Sequence, residues 1–382
     1  MKLSRTAILV QVLAAALATA LASGTAAASV PAGTGLPIAA LNAVTADGTL
    51  AVGADSISTF LTPLCGEDLS EQRGSKGWSA LRTPSPPTCG WLSSVVALPH
   101  HRAWAVGYQV TKSAAVLTLT EYYNGSRWTI EPSPNPGTSD YLRGVTVTRS
   151  GTIWAVGSDT KGSLIFKRVG SRWVNQKNNL SADLQAITVT PSGQLWAVGD
   201  QFDPDTLAVV TETTTLTSSG WRPVPSPSPG GFGNDTYLTG LAAGPHSVLW
   251  AVGYYFDSIT GLPHQLALRY AAGKWSQVST PAPAGAANTW LYSVAVTSAG
   301  GAWAVGAYTS TKCERTMAEE YAGGKWHLAD PLNRGKCDTQ DANALYGVTV
   351  SGGIVYAVGQ ADISTLAEQR SGGHWKIVRS GN

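Results

Sequence analysis

Trp104-Ala105-Val106-Gly107 decides the fold, because the same four residues return at a nearly fixed interval. Copies start at Trp154, Trp196, Trp250 and Trp303, and variants stand at Leu50-Ala51-Val52-Gly53 and Tyr356-Ala357-Val358-Gly359. Their alanines lie 54, 50, 42, 54, 53 and 53 residues apart, so seven units of about 51 residues account for the chain from roughly residue 38 to 379. A Gly or Ser shortly before Trp78, Trp128, Trp173, Trp221, Trp275, Trp326 and Trp375 marks a second position in each unit. An apolar stretch opening at Leu41, Leu92, Leu142, Leu184, Leu238, Leu291 and Leu345 marks a third.

Each unit reads as four short strands. The first opens at the Leu, the second ends in Trp-Ala-Val-Gly, the third alternates as in Leu117-Thr118-Leu119-Thr120, and the fourth begins at the second Trp. In the second strand Trp104 and Val106 point to one face, Ala105 and Gly107 to the other. Bulk facing smallness suits stacked sheets, with each Trp filling the space that Ala and Gly leave on the neighbouring unit. Asp47-Gly48, Ser150-Gly151, Ser192-Gly193 and Gly352-Gly353 supply hairpin chemistry between first and second strands. Four-stranded units repeated seven times predict an all-β, seven-bladed propeller of antiparallel blades. The blades should coincide with the repeats, and the ring should close by packing of the first blade on the last without a shared strand.

These repeats resemble secreted actinobacterial β-propellers with Trp-Ala-Val-Gly motifs, and more loosely the tectonin and Asp-box propellers. The resemblance implies the propeller fold. Asn124-Gly125-Ser126-Arg127-Trp128 and Ala272-Gly273-Lys274-Trp275 stand where an Asp-box repeat has an Asp-Gly-Gly turn, so the likeness does not extend to the sialidase branch.

Composition agrees. Only 13% of the 382 residues are charged, against 42 Gly, 21 Pro and 14 Trp, a balance suited to turn-rich β-structure. Lys2 and Arg5 precede an apolar run from Ala7 to Ala22 and a small-residue site at Ala26-Ala27-Ala28, the pattern of a secretory signal over residues 1–28. The run is shorter than the roughly 20 residues of a membrane span, so the expected product is a free extracellular protein, residues 29–382 forming a single propeller domain. Without the signal, 24 basic residues face 24 acidic ones, leaving no charge excess for a nucleic acid or an anionic membrane. Cys65 and Cys89 flank Trp78 in the register in which Cys313 and Cys337 flank Trp326, which favours the pairs Cys65–Cys89 and Cys313–Cys337. Their spacing does not suit a metal, and no metal or other cofactor is expected.

Strand parity puts second-to-third and repeat-to-repeat connections on one face of the ring. Those connections vary most in length, and near them lie Trp91, Tyr108, Tyr141, Asp159, Asp200, Tyr237, Tyr254, Trp290 and Tyr308. Aromatic platforms beside carboxylates bind sugars or peptides by stacking and hydrogen bonding; the structural alternative is that the aromatics cover blade edges and the aspartates cap turns. No nucleophile elbow, zinc-protease motif, phosphate loop or nucleotide fingerprint is present. The expected function is therefore a secreted, monomeric, non-catalytic binding module for an extracellular glycan or protein. The alternative is a carbohydrate-active hydrolase or lyase using two carboxylates, which sequence spacing does not exclude.

Overall fold

The computed structural model describes residues 37–57, 65–84, 86, 89–310, 313–335, 337 and 342–381, without the side chains of 37, 38, 56, 57 and 65. They form seven separate four-stranded antiparallel sheets, each made of four strands consecutive in sequence and paired in chain order. Blade 1 comprises Pro37–Val44, Leu50–Ile57, Cys65–Gly74 and Gly77–Leu81; blade 7 comprises Asn343–Ser351, Ile354–Ala361, Ser364–Ser371 and His374–Val378. The blades coincide with the repeats as the sequence predicts. The only helical element among the described residues is the short turn Pro245–Ser247, and no helix there is long and apolar enough to cross a membrane. First strands of successive blades pack on one another around the axis, while fourth strands form the rim.

The two Trp marks of the repeat meet across the blade interfaces. Trp104 of blade 2 stands edge-on to Trp173 of blade 3 at 5.3 Å, and the arrangement recurs in Trp154–Trp221, Trp196–Trp275, Trp250–Trp326 and Trp303–Trp375. Alanines of the second strand complete the fit: Trp104 and Val106 pack with Ala155, and Trp250 and Val252 with Ala302 and Ala304.

The glycine of each repeat serves a different purpose from the one the alternation suggests. Opposite it, every first strand carries a bulge that leaves one residue unpaired: Asn42, Ser93, Arg143, Gln185, Thr239, Tyr292 and Tyr346. The bulge brings the first-strand backbone onto the glycine, so that a Cβ at Gly107 would lie 1.8 Å from the Trp91 carbonyl oxygen, and at Gly253 1.9 Å from that of Tyr237. Gly makes room within its own blade, and Ala alone makes room for the neighbour's Trp.

Ring closure joins blade 7 to blade 1 without exchange of a strand between the described sheets. Val358 and Ala367 pack with Leu41, Ala51, Leu69 and Trp78, and the Arg73 guanidinium lies 4.4 Å from the centre of the Tyr356 ring. The Thr365 hydroxyl donates to Glu71 Oε1 at 3.1 Å, and beyond the last strand the Trp78 N–H donates to the Arg379 carbonyl at 2.7 Å. The tail thus lies along the outer strand of blade 1.

Cys313 and Cys337 are disulfide-bonded, as their register predicts. Cys89 is also disulfide-bonded, whereas the Cys65 side chain, and with it the expected Cys65–Cys89 pairing, lies outside the described residues.

Four third strands place a glutamate opposite the repeat alanine, Glu71, Glu121, Glu319 and Glu368, where other blades use Phe166, Thr214 and Leu268. All four are at most 1% exposed. Burial raises Glu319 and Glu368 to about 8, and burial together with the neighbouring Asp68 carboxylate raises Glu121 to about 10. The native ring therefore retains protons that the unfolded chain releases above its ordinary value of 4.5, so stability falls as pH rises from 4.5 towards 8. The thermal midpoint followed by circular dichroism is expected to be higher at pH 5 than at pH 8, and Glu319→Gln should flatten that slope. A midpoint that rises over this interval would mean that the carboxyls are ionised in the native ring.

Candidate functional site

Three positions per blade converge at one mouth of the ring: the residue before the first-strand Leu, the bulge residue after it, and the residue after the repeat Gly. The first and last of these are cross-strand partners, as in Trp91 with Tyr108, Asp183 with Asp200 and Tyr237 with Tyr254. Their chemistry is unequal around the ring. Blade 1 offers Ala40, Asn42 and Ala54, whereas the remaining blades carry nearly all the aromatic and charged groups.

Over blades 2 and 3, Trp91 stacks on Tyr108 with ring centres 6.2 Å apart, and Tyr108 meets Tyr141 edge-on at 5.0 Å. The Arg143 guanidinium lies over Tyr141 at 5.0 Å and over Tyr108 at 6.0 Å, with its Nε buried and unpaired. Burial pushes the Tyr108 hydroxyl up to about 12, opposed by Arg143.

Blade 4 contributes two carboxyls side by side. Asp183 accepts a hydrogen bond from the Ser158 hydroxyl at 2.6 Å. Burial holds the Asp200 carboxyl well above the usual carboxylate range; Asp183 adds to the effect and Arg143 opposes it. A third carboxylate, Asp235, accepts from the Tyr237 hydroxyl at 2.9 Å and from the Val209 N–H at 2.8 Å.

From blade 5 to blade 7 the mouth is aromatic. Tyr237 and Tyr254 are 5.1 Å apart, and Tyr254 and Trp290 are buried with Ala307 and Ala344 beneath Tyr237, Phe256, Tyr292 and Tyr346. Tyr292 lies 5.4 Å from Tyr346, and Glu314, close enough to both to raise them further, is itself raised by burial to about 7.

Of the nine residues singled out in the sequence, Trp91, Tyr108, Tyr141, Asp200, Tyr237, Tyr254 and Trp290 fall in this arc. Trp290 and Tyr254 are only 4% exposed, so they support the surface more than they present it. Asp159 and Tyr308 fall elsewhere. Asp159 accepts from the N–H groups of Lys161 and Gly162 and caps a hairpin, while Tyr308 lines a cavity of about 220 Å³ with Pro283, Arg315 and Asp330. Sequence reasoning misses Arg143, Asp183, Asp235, Tyr292, Glu314 and Tyr346. The signal for four of these, Arg143, Asp183, Tyr292 and Tyr346, is their place directly before or after the strand-opening Leu, and the Asp-Thr-Tyr-Leu order places Asp235 just outside it. Among the described residues no group of three His, Cys, Asp or Glu side chains could hold a metal ion.

No protein-family model matches the sequence, and no curated protein does. Solved structures share its fold. A virginiamycin B lyase from Staphylococcus aureus matches with a TM-score of 0.51 at 14% identity, covering 80% of this chain and 92% of that one. The β-propeller domain of the Trilobed protease from Pyrococcus furiosus, described as having an open velcro topology, matches with a TM-score of 0.53 at 7% identity over 91% and 97%. YCF48, solved bound to a D1 peptide, matches with a TM-score of 0.50 at 14% identity over 79% and 84%. At these identities the likeness shows a β-propeller and nothing finer.

Proposed function

We propose that the chain is an exported, non-catalytic binding module, a single propeller over residues 29–382 released from a signal at 1–28, akin to secreted actinobacterial propellers. The ligand is an extracellular glycan or polypeptide held at the aromatic mouth. The observation that carries this reading is the arc of stacked rings running from Trp91 through Tyr108 and Tyr141 to Arg143, and resuming at Tyr237, Tyr292 and Tyr346. Flat aromatic faces stack on sugar rings or apolar side chains, and the buried Arg143 Nε is a donor without a partner in the protein. With the expected mature chain neutral, attraction is short-ranged. Arg143→Ala should lower affinity for a cell-wall polysaccharide or peptide found by glycan and peptide arrays by about tenfold or more, with the melting midpoint little changed. Binding indifferent to both Arg143→Ala and Tyr237→Ala would place the ligand elsewhere.

A second reading rests on Asp183 and Asp200. Two adjacent carboxyls, one of them held well above the usual carboxylate range by burial, could act as general acid and base on a glycan. Turnover of a polysaccharide by the purified protein, abolished in Asp200→Asn, would establish that reading over the first.

A further inference from the structure

Five strongly exposed apolar side chains gather on the face of the mouth, outside it and over blades 4 and 5. Phe202 is 61% exposed near the end of the second strand of blade 4 and Leu207 59% on the connection that follows, Phe232 is 70% exposed on the connection to blade 5, and Ile259 and Leu262 are 92% and 41% exposed on the next hairpin. The three segments are tied together. The Gly233 N–H donates to the Thr206 carbonyl at 2.9 Å, the Val209 N–H to Asp235 Oδ1 at 2.8 Å, and the Phe256 N–H to the Asp235 carbonyl at 2.9 Å. Asp203 accepts from the Asp205 N–H, and Asp257 from the N–H groups of Ile259 and Thr260, so the apolar groups stand on capped turns.

Clustered exposure of this kind is uncommon on a monomer and marks an interaction surface. The charge around it is one-sided. Residues 201–207, 229–234 and 256–264, outside the mouth, contain three aspartates, Asp203, Asp205 and Asp257, and neither lysine nor arginine. The bonds from Thr260 hold Asp257 below the usual carboxylate value, so it remains ionised at neutral pH. An anionic lipid surface is repelled by such a rim, and three of the five apolar side chains, Leu207, Ile259 and Leu262, are aliphatic and offer a sugar no face to stack on, which favours an apolar side chain over a sugar ring. A partner satisfies both features when it brings apolar side chains to Phe202, Phe232 and Ile259 and cations to the aspartates around them.

We infer that blades 4 and 5 carry a docking surface for a polypeptide segment that combines apolar or aromatic side chains with lysine or arginine. It is separate from the mouth and does not depend on the function proposed for it. The test is selection of a random peptide library of about 12 residues, displayed on phage, against the full chain as exported. Peptides enriched in both basic and apolar residues are expected. The synthetic form of the strongest should bind the Phe232→Ser/Ile259→Ser variant about tenfold more weakly, should weaken as salt rises, and should bind Arg143→Ala unchanged. Both substituted side chains are exposed, so the variant should melt with the parent chain. Acidic or purely apolar selected peptides, no enrichment, or binding indifferent to the double substitution would each overturn the proposal. So would a dimer in sedimentation, or uptake onto phosphatidylglycerol vesicles, that the double substitution abolishes, because the occupant would then be a second copy or a lipid surface.

Discussion

Gly253→Ala is expected to yield no folded protein. The added Cβ would sit 1.9 Å from the Tyr237 carbonyl oxygen and within 3.0 Å of the Leu238 Cα. Both are backbone atoms of the innermost strand, held by the bulge at Thr239 and by the packing of neighbouring blades, and neither can withdraw as a flexible side chain would. Relief requires removing the bulge, which would shift the first strand by one residue and turn the side chains beyond it to the wrong face. The expected loss is about 4 kcal/mol or more, a large part of a domain's net stability of roughly 5–15 kcal/mol. Gly273→Ala is the control: nothing lies within 4 Å of a Cβ there, and the positive φ of 82° should cost only about 1 kcal/mol. Yield and far-ultraviolet circular dichroism of the two variants check this. A folded Gly253→Ala melting near the parent would show that the bulge is dispensable.

The second large effect concerns Trp250. It is fully buried, 5.0 Å from Trp326 and 4.5 Å from Tyr321 of the next blade, and removal to alanine leaves a void between two stacked sheets that cannot collapse independently. Trp250→Ala should cost about 3–5 kcal/mol in urea unfolding. Trp250→Leu, the residue that blade 1 carries at this position as Leu50, should keep an appreciable part of that stability. Equal midpoints for the alanine variant and the parent would mean that the interface is held by other contacts.

The repeat made the fold legible because a propeller is a one-dimensional stack, and whatever each interface requires must reappear in every unit. Trp and Ala could be assigned from alternation alone. The glycine could not, because its constraint is a close backbone approach created by the bulge, and a bulge leaves no mark in a pattern of apolar and polar residues. The same limit explains the site. Tyr108, Asp200 and Tyr254 follow the repeat Gly by one residue, whereas Asp159 and Tyr308 follow it by two and so emerge on the other side of the strand. Strand parity, more than nearness in sequence to the motif, decides which residues lie in the arc. Arg143, Tyr292 and Tyr346 carry no mark in the alternation, because the bulge gives their position a role that regular pairing lacks. Asp235 lies in a repeat-to-repeat connection, where no register holds.

Six blade interfaces join neighbours in sequence, but the seam joining Thr365 to Glu71 and Arg379 to Trp78 spans nearly the whole chain. Two complementary surfaces are left at the ends of any ring that opens there, and each fits the other whether it comes from the same molecule or another. An arc meeting a second arc can make the same contacts intermolecularly, closing as an exchanged dimer or continuing as a helical filament. Dilution favours the closed monomer, since linking the two surfaces through one polypeptide sets their effective concentration. Arg379, whose carbonyl accepts from Trp78 across the seam, is therefore among the contacts expected to favour the closed ring over such open forms.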